Sequence, residues 1–233
     1  MEKYNRKKKF NIINSLFYNL DKFLLISNIS KLRFYLNIQF IFKRLAYEKS
    51  YLIFKDLHPS TQFTISNLKK YINKNDKILD IGCGNGYIAY TLSNYVKQIT
   101  SIDYDPKVIK KAKEKFKKKN IEYICADVIK SKNYLSKNFD LIICSHVIEH
   151  LEKPFNFLKT LKKFKSNIYL EVPDAENDNL NNVKKKINFY LNYTDSDHIY
   201  EFDRNYLIKK LKKNNFKVID QKYQNGVVCL LIR

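Results

Sequence analysis

The stretch ILDIGCGNG, residues 78–86, decides the fold of this chain. An apolar run carrying Asp80 passes directly into a loop with glycine at positions 82, 84 and 86. Alternating glycines let a backbone turn sharply and approach a ligand without interference from Cβ atoms. The nicotinamide-binding pattern G-x-G-x-x-G would need a further glycine at position 87, where the chain has Tyr87. The stretch therefore predicts a buried strand followed by a ligand-binding loop that is not of the nicotinamide type.

From residue 77 onward, short apolar runs alternate with helical patterns. The runs are KILDI (77–81), QITSID (98–103), IEYICAD (121–127), FDLIIC (139–144), NIYLEV (167–172), FKVIDQ (216–221) and VVCLLI (227–232). Such alternation predicts a doubly wound α/β sheet. The last two runs are separated only by KYQNG, whose Asn-Gly pair favours a tight hairpin. We therefore predict a seven-stranded, mostly parallel sheet with a C-terminal antiparallel hairpin.

Residues 1–58 differ from the rest of the chain, since they contain no glycine and are rich in aromatic residues. Apolar residues recur there at mixed three- and four-residue spacing, which is typical of helices. We predict an N-terminal helical cap over residues 1–58 and an α/β domain over residues 59–233. The alternative is a lid, or a segment that binds a membrane surface peripherally.

The formal net charge of +21 raises the question of a nucleic-acid partner. The chain has 39 lysines but only 5 arginines, and arginine is the residue favoured for bidentate phosphate recognition. Lysines also cluster in helical patterns such as KKAKEKFKKK (110–119). The charge therefore favours a solvated surface, and a functional basic face remains the alternative.

The cysteines and the N-terminal sequence indicate in which cellular compartment the protein is expected. Cys83, Cys125, Cys144 and Cys229 form no C-x-x-C pair, and each lies in or beside an apolar run. This pattern predicts reduced, mostly buried thiols in a cytoplasmic protein. The N-terminal MEKYNRKKKF is not followed by the apolar region and cleavage site of a signal peptide. No apolar run is long enough to predict a transmembrane segment.

Polar residues stand where the predicted strands end. Asp103 follows the second strand, Asp127 the third and Ser145 the fourth. Ligands of such sheets bind at the carboxyl ends of the strands. A carboxylate at position 103 can accept both hydroxyl hydrogens of a ribose. Together with the glycine loop, these residues predict a site for a nucleoside cofactor.

HVIEH, residues 146–150, matches the H-x-x-E-H pattern that presents two zinc ligands on one helix face in some peptidases. Here it follows a buried strand, and Pro154 ends any helix soon after it. The chain's other histidines are His58 and His198. We therefore reject a zinc peptidase and predict no metal. A structural role for His150 beneath an acceptor pocket and a catalytic role both remain open.

The segments ILDIGCGNG, SIDYDP, CADV and FDLIICSHVIEHLEKP resemble those of class I S-adenosylmethionine-dependent methyltransferases, from about residue 75 to the C-terminus. The nearest subgroup is that of the ubiquinone-biosynthesis O-methyltransferases. It is similar in its V-x-E-H segment (147–150), in Pro173-Asp174 and in an H-x-x-x-F pattern from His198 to Phe202.

The resemblance implies S-adenosylmethionine as the cofactor and a role for each strand-end residue. The loop residues Asp80, Gly82, Gly84 and Gly86, with Cys83 among them, would hold the methionine end of the cofactor. Asp103 would bind the ribose and Tyr104 the adenine. Asp127 and Val128 would contact the adenine edge, and Ser145 would lie near the sulfonium.

One position departs from the subgroup, whose members often have E-x-x-E-H where this chain begins with His146. In some relatives the two glutamates and the histidine bind a divalent metal, so the substitution argues against a site for a hard cation. The predicted catalytic residues are His150, then His146 and His198, with Glu149 as the residue that orients them. We expect a small-molecule or glycan-type acceptor, methylated at oxygen or nitrogen. The alternatives are an RNA or DNA methyltransferase that uses the basic surface, and a cofactor-binding protein without catalysis.

Overall fold

The computed structural model describes residues 11–130, 138–176, 179–189 and 197–233. The basic N-terminal stretch and residues 190–196 of the 174–197 insertion lie outside the described residues. No helix in the described part of the chain is both long and apolar enough to cross a bilayer.

Over these residues the chain forms eight α-helices, most of which coincide with patterns in the sequence. They are α1 (Asn11–Phe23), α2 (Asn28–Phe54), α3 (Pro59–Leu68), α4 (Tyr87–Leu92), α5 (Pro106–Lys115), α6 (Pro154–Leu161), α7 (Asn179–Lys186) and α8 (Arg204–Lys213). The first residue of α3, α5 and α6 is proline, whose fixed φ suits that position and whose missing N–H costs no hydrogen bond there. Two of these helices also have a side-chain cap, from His58 before α3 and from Asp105 before α5.

The described residues also form seven strands. They are β1 (Lys77–Ile81), β2 (Gln98–Asp103), β3 (Ile121–Cys125), β4 (Leu141–Ser145), β5 (Asn167–Pro173), β6 (Val218–Gln224) and β7 (Val227–Ile232). β1, β2 and β7 match the predicted runs residue for residue. The other strands differ from the predicted runs by one to three residues at their ends.

The strands lie in one sheet in the order β3-β2-β1-β4-β5-β7-β6. The pairs from β3 to β5 are parallel, whereas β7 runs antiparallel to both β5 and β6. The prediction of a seven-stranded, mostly parallel sheet with a C-terminal hairpin is therefore confirmed. Strand order reverses between β1 and β4, and open α/β sheets bind their ligands at such a switch point.

The hairpin is tighter than the sequence pattern predicted. Asn225 and Gly226 have φ of +57° and +77°, as a two-residue type I′ turn requires. The pairing of Gln224 with Val227 closes the ladder directly against this turn. The residues KYQ, predicted to lie in a loop, therefore belong to β6, because only Asn225 and Gly226 need a positive φ.

Apolar side chains cover both faces of the sheet. Leu79, Ile142 and Leu170 pack on one face against α6 and α8, and Ile78 and Ile143 pack on the other against α3 and α4. Each fully buried leucine or isoleucine contributes about 1.5–3 kcal/mol by removal from water. This two-sided core fixes the strands so that their carboxyl ends form one rigid edge.

The chain divides into two compact units, residues 1–43 and residues 44–233. In the described part of the first unit, a short turn joins α1 to the start of α2. Ser27 Oγ, at the end of this turn, accepts a hydrogen bond from Ser30 N at 3.2 Å. Helix α2 continues into the second unit, which also holds the sheet. The predicted boundary at residue 58 remains a prediction.

Candidate functional site

The loop after β1 is held in a left-handed backbone conformation. Gly82, Gly84 and Gly86 have φ of +68°, +52° and +83°. A Cβ at Gly82 would lie 2.8 Å from Val147 Cγ2, and one at Gly86 would lie 2.7 Å from the Tyr123 hydroxyl. At Gly84 a Cβ would meet no atom of the described protein within 4 Å. Packing therefore explains two of these glycines, whereas Gly84 faces open space that a ligand can enter.

Asp103, at the end of β2, is tied to this loop. Its Oδ2 accepts a hydrogen bond from Gly84 N at 3.0 Å, and its Oδ1 accepts one from Asp105 N at 3.0 Å. The main-chain oxygen of Asp103 accepts a hydrogen bond from Ala126 N at 2.9 Å. Each carboxylate oxygen keeps a further lone pair, as binding two ribose hydroxyls would require. The adjacent Tyr104 ring is 80% exposed, so an adenine can stack on it without any rearrangement of a core.

Asp80 lies within β1, two residues before the first glycine of the loop, and is almost completely buried. Burial, with a smaller effect of the nearby Asp103 carboxylate, raises the pKa of Asp80 to about 7. Its Oδ2 accepts no hydrogen bond from the described residues. A buried carboxylate of this kind is stabilised by a cationic partner. An ammonium group on a ligand in the glycine loop would provide one.

The remaining predicted cofactor residues lie at the same edge of the sheet. Asp127 Oδ1 accepts a hydrogen bond from Ile129 N at 2.8 Å, and Val128 packs partly buried against the core. The Ser145 hydroxyl donates to Glu171 Oε1 at 3.0 Å. Burial, with the nearby carboxylates, raises the pKa of the Cys83 thiol, which disfavours the nucleophilic thiolate form. Among the four cysteines Cys125 is exposed, which is an exception to the predicted burial.

Glu171 is a site residue that the sequence analysis missed. It lies in β5, is fully buried, and accepts hydrogen bonds from the hydroxyls of Thr64 (2.7 Å) and Ser145 (3.0 Å). The hydroxyl of Tyr169 (2.5 Å) and the thiol of Cys229 (3.3 Å) also donate to it. A glutamate inside the apolar run NIYLEV was the available signal. The network joins α3, β4, β5 and β7 beneath the candidate site.

His146 lies between two buried carboxylates. Its Nδ1 is 3.2 Å from Glu149 Oε1, and its Nε2 is 3.6 Å from Glu171 Oε1. The His146 side chain is 43% exposed, so desolvation lowers its pKa less than full burial would, and these two carboxylates outweigh it and raise the pKa above its usual value. His146 has a φ of +55°, and residues 148–150 form a single 3-10 turn. The two histidines of HVIEH are therefore not on one face of an α-helix, in agreement with rejection of the peptidase pattern.

His150 and His198 lie side by side, with ring centroids 4.8 Å apart and planes at 76°. His150 Nδ1 is 3.3 Å from the main-chain oxygen of Asp197, and His198 Nδ1 is 3.1 Å from Glu201 Oε1. The main-chain oxygen of Glu149 accepts hydrogen bonds from the amides of Ile199 and Tyr200 (2.9 and 3.1 Å). The segment before α8 is thus fastened to HVIEH, and all four predicted catalytic residues come together.

This cluster has the ligand types of a transition-metal site. Glu149 is fully buried, and His146 Nδ1, 3.2 Å from its Oε1, pairs with it as an ion pair and not through a well-aligned hydrogen bond. One ligand atom from each of Glu149, His150 and His198 lies within 4.8 Å of the others. Two imidazoles and a carboxylate suit a divalent transition metal better than a hard cation. The prediction that the chain binds no metal therefore stays a prediction, to be tested at these three residues.

Residues 79–165 match the family model described as a methyltransferase domain. The chain is 32% identical over 97 residues to a ribosomal protein L11 methyltransferase of Thermotoga neapolitana, covering 40% of this chain and 35% of that protein. It is 36% identical over 97 residues to the mitochondrial ubiquinone biosynthesis O-methyltransferase of Schizosaccharomyces pombe, covering 39% and 35%. The chain thus spans about a third of the length of these curated relatives.

A solved structure gives the same fold over most of the chain. Magnesium protoporphyrin IX methyltransferase from Synechocystis PCC 6803, with bound SAH, superposes with a TM-score of 0.59 at 15% identity and covers 84% of this chain and 96% of that one. The sheet order, the glycine loop tied to the acidic end of β2 and the family match agree with one another. Residues 79–165 of this chain therefore match a methyltransferase domain, and the described residues share the fold of a solved methyltransferase.

Proposed function

We propose that this protein transfers the methyl group of S-adenosylmethionine to an oxygen or nitrogen of a small-molecule or glycan-type acceptor. One observation carries the proposal: a cofactor-type loop after β1, tied to the end of β2, occurs at the same edge of the sheet as His150, which follows β4 and pairs with His198 from the segment before α8. The names of the two relatives refer to different acceptors, a ribosomal protein and a ubiquinone precursor. The names of these relatives therefore do not decide the acceptor class of this chain, which is part of the proposal.

The cofactor itself supplies the electrophile, since its methyl group is bound to a positively charged sulfur. In our proposal Asp80 balances the charge of the cofactor's ammonium group, Asp103 binds the ribose hydroxyls and Tyr104 lies against the adenine. Ser145, whose hydroxyl is fixed by Glu171, lines the cofactor near the sulfonium. The chain then has to align the acceptor atom with the methyl group, and such positioning lowers the barrier by several kcal/mol.

His150 is the proposed general base. Its side chain is 36% exposed, so an acceptor from solvent can reach it, whereas that of His198 is 7% exposed. Imidazole accepts a proton near neutral pH, and a general base typically contributes about 10²- to 10⁴-fold in rate. His198 packs edge-on against the His150 ring, and the main-chain oxygen of Asp197 lies 3.3 Å from His150 Nδ1. In the alternative that Glu149, His150 and His198 hold a divalent cation, the cation would act as a Lewis acid toward an acceptor hydroxyl and His150 would be a ligand in place of the base.

The net charge of +21 supports a second candidate, a nucleic-acid methyltransferase. The scarcity of arginine weighs against it, because lysine meets phosphate only as a point charge. A nucleic-acid acceptor would make turnover steeply dependent on salt.

Both candidates are tested by incubating the protein and methyl-labelled S-adenosylmethionine with fractionated cell extract. We expect the label in the low-molecular-weight fraction, with no transfer by Asp103→Asn. Label in a fraction that ribonuclease or deoxyribonuclease destroys would favour the nucleic-acid candidate. Cofactor binding without transfer to any fraction would contradict the proposed activity.

A further inference from the structure

Helix α1 is amphipathic, and its apolar side faces solvent. Leu16, Phe17, Leu20 and Phe23 recur at helical spacing and share one side of the helix. They are 58%, 65%, 52% and 80% exposed. A surface helix of a globular domain normally buries such a stripe against the core. The apolar face of α1 is therefore a candidate interaction surface.

The apolar surface continues beyond α1. Leu24, Leu25 and Ile26, in the turn after the helix, are 45%, 99% and 51% exposed. Ile29 follows at the start of α2 with 48% exposure. Contiguous exposed apolar side chains of this size mark a surface that meets a partner or a lipid phase. We name Leu16, Phe17, Leu20, Phe23 and residues 24–26 the α1 patch.

The charge of the first unit selects the partner. Residues 1–43 contain nine lysines and arginines against two acidic residues, Glu2 and Asp21. Asp21 is already satisfied within the unit, since Tyr35 donates to its Oδ1 at 2.6 Å and Lys31 Nζ lies 3.6 Å from the same atom. The unit therefore has a net positive charge and also carries an apolar patch. An anionic lipid surface complements both properties, whereas a second copy of the same unit would repel it.

We infer that the first unit binds the surface of anionic membranes through the α1 patch, with α1 lying in the plane of the interface. No described helix can cross a bilayer, so the attachment is peripheral and reversible. This inference is independent of the methyl-transfer proposal, because it uses none of the residues of the cofactor site. It gives the chain access to acceptors that partition into or onto membranes.

The test is co-flotation of the full-length protein with two kinds of vesicle. One is phosphatidylcholine alone, and the other is phosphatidylcholine containing about a third phosphatidylglycerol. We expect at least about tenfold tighter binding to the anionic vesicles, weakened by high salt. Equal binding to both vesicles, or binding to neither, would overturn the inference.

Matched variants locate the contact on α1. Phe17→Ser with Leu20→Ser should weaken vesicle binding about tenfold or more, because the variant loses much of the buried apolar area. Tyr18→Ser is the control, since Tyr18 is 74% exposed but lies on the opposite side of the helix. A thermal shift by S-adenosylmethionine checks that the second unit remains folded. An equal loss of vesicle binding in the two variants would refute the assignment of the contact to the α1 patch. The membrane assignment would also be refuted if light scattering showed a dimer of the wild-type protein that becomes a monomer in Phe17→Ser with Leu20→Ser.

Discussion

The main-chain amide of Gly84 donates a hydrogen bond to Oδ2 of Asp103 at 3.0 Å. This contact joins the loop after β1 to the end of β2, so the two halves of the proposed cofactor site are built as one unit. A substitution at either residue should therefore lower cofactor affinity more than it lowers the stability of the fold.

Asp103→Asn should weaken S-adenosylmethionine binding by about 10- to 100-fold, because hydrogen bonds to a charged group contribute about 1.5–3 kcal/mol. Calorimetry and the thermal shift produced by the cofactor measure the effect. Asp105→Ser is the control, since it removes a carboxylate two residues away but keeps a capping oxygen for α5. Stabilisation of the wild-type protein by NADH and not by S-adenosylmethionine would contradict the cofactor assignment.

Two glycine substitutions should separate ligand binding from folding. Gly84→Ala meets no protein atom, so it should cost only the left-handed strain of about 1–2 kcal/mol in stability while it blocks the ligand. Gly86→Ala should destabilise the fold further, because its Cβ would collide with the Tyr123 ring. Gly226→Ala, also at positive φ but in the hairpin turn, controls for strain alone. Unchanged cofactor affinity in folded Gly84→Ala would show that the loop is not where the cofactor binds.

Cofactor affinity should depend on pH through Asp80. The pKa of the Asp80 carboxyl is raised to about 7 in the folded protein. Between about pH 4 and 7 folding therefore takes up a proton, and the contribution of Asp80 to the free energy of unfolding falls as the pH rises through that range. A cationic ligand binds the ionised form and must displace the proton. We expect binding about tenfold weaker at pH 6 than at pH 7.5, with proton release seen by calorimetry in two buffers. Asp80→Asn should bind the cofactor more weakly and lose this pH dependence. If the affinity of Asp80→Asn changes with pH as much as that of the wild type, another group is responsible for the pH dependence.

His150→Ala should lower the rate of methyl transfer at least about tenfold and leave S-adenosylmethionine affinity nearly unchanged. The reason is that His150 lies beyond the cofactor residues, in contact with His198. His58→Asn, whose side-chain oxygen can replace the ring Nδ1 as acceptor from Ser60 N before α3, serves as a control for general loss of a histidine. Full activity in folded His150→Ala would leave His150 a structural residue and make His198 the next candidate.

Removal of divalent metals with a chelator should leave methyl transfer intact. The sulfonium needs no Lewis acid, and His146 supplies a positive charge 3.2 Å from Glu149 Oε1 when it is protonated. Direct titration with Zn²⁺ and Mn²⁺ provides a readout independent of activity. Stoichiometric binding that Glu149→Gln and His198→Ala both abolish would instead establish a metal site at the cluster.

Local features of the sequence determined the fold and the position of the proposed cofactor residues in it. Alternating apolar runs, helix-starting prolines and the Asn-Gly turn act over a few residues, so their meaning does not depend on the rest of the chain. The sequence could likewise predict that the loop glycines and Asp103 lie at one edge of the sheet, and Gly84 N does donate to Asp103 Oδ2, whereas their cofactor roles stay a prediction. Strand ends were less certain, since the length of a strand depends on its neighbour, as the pairing of Gln224 with Val227 illustrates.

Tertiary structure alone decided the environment of the histidines. HVIEH does not reveal that His146 stands between Glu149 and Glu171, because Glu171 arrives from another strand of the sheet. Nor does it reveal that His198 packs against His150, since the segment before α8 folds back onto it. Burial and charge pairing set the chemistry of such groups, and both depend on residues far apart in the chain. The sequence could name the titratable groups at this edge of the sheet, but only the fold determines which of them meet.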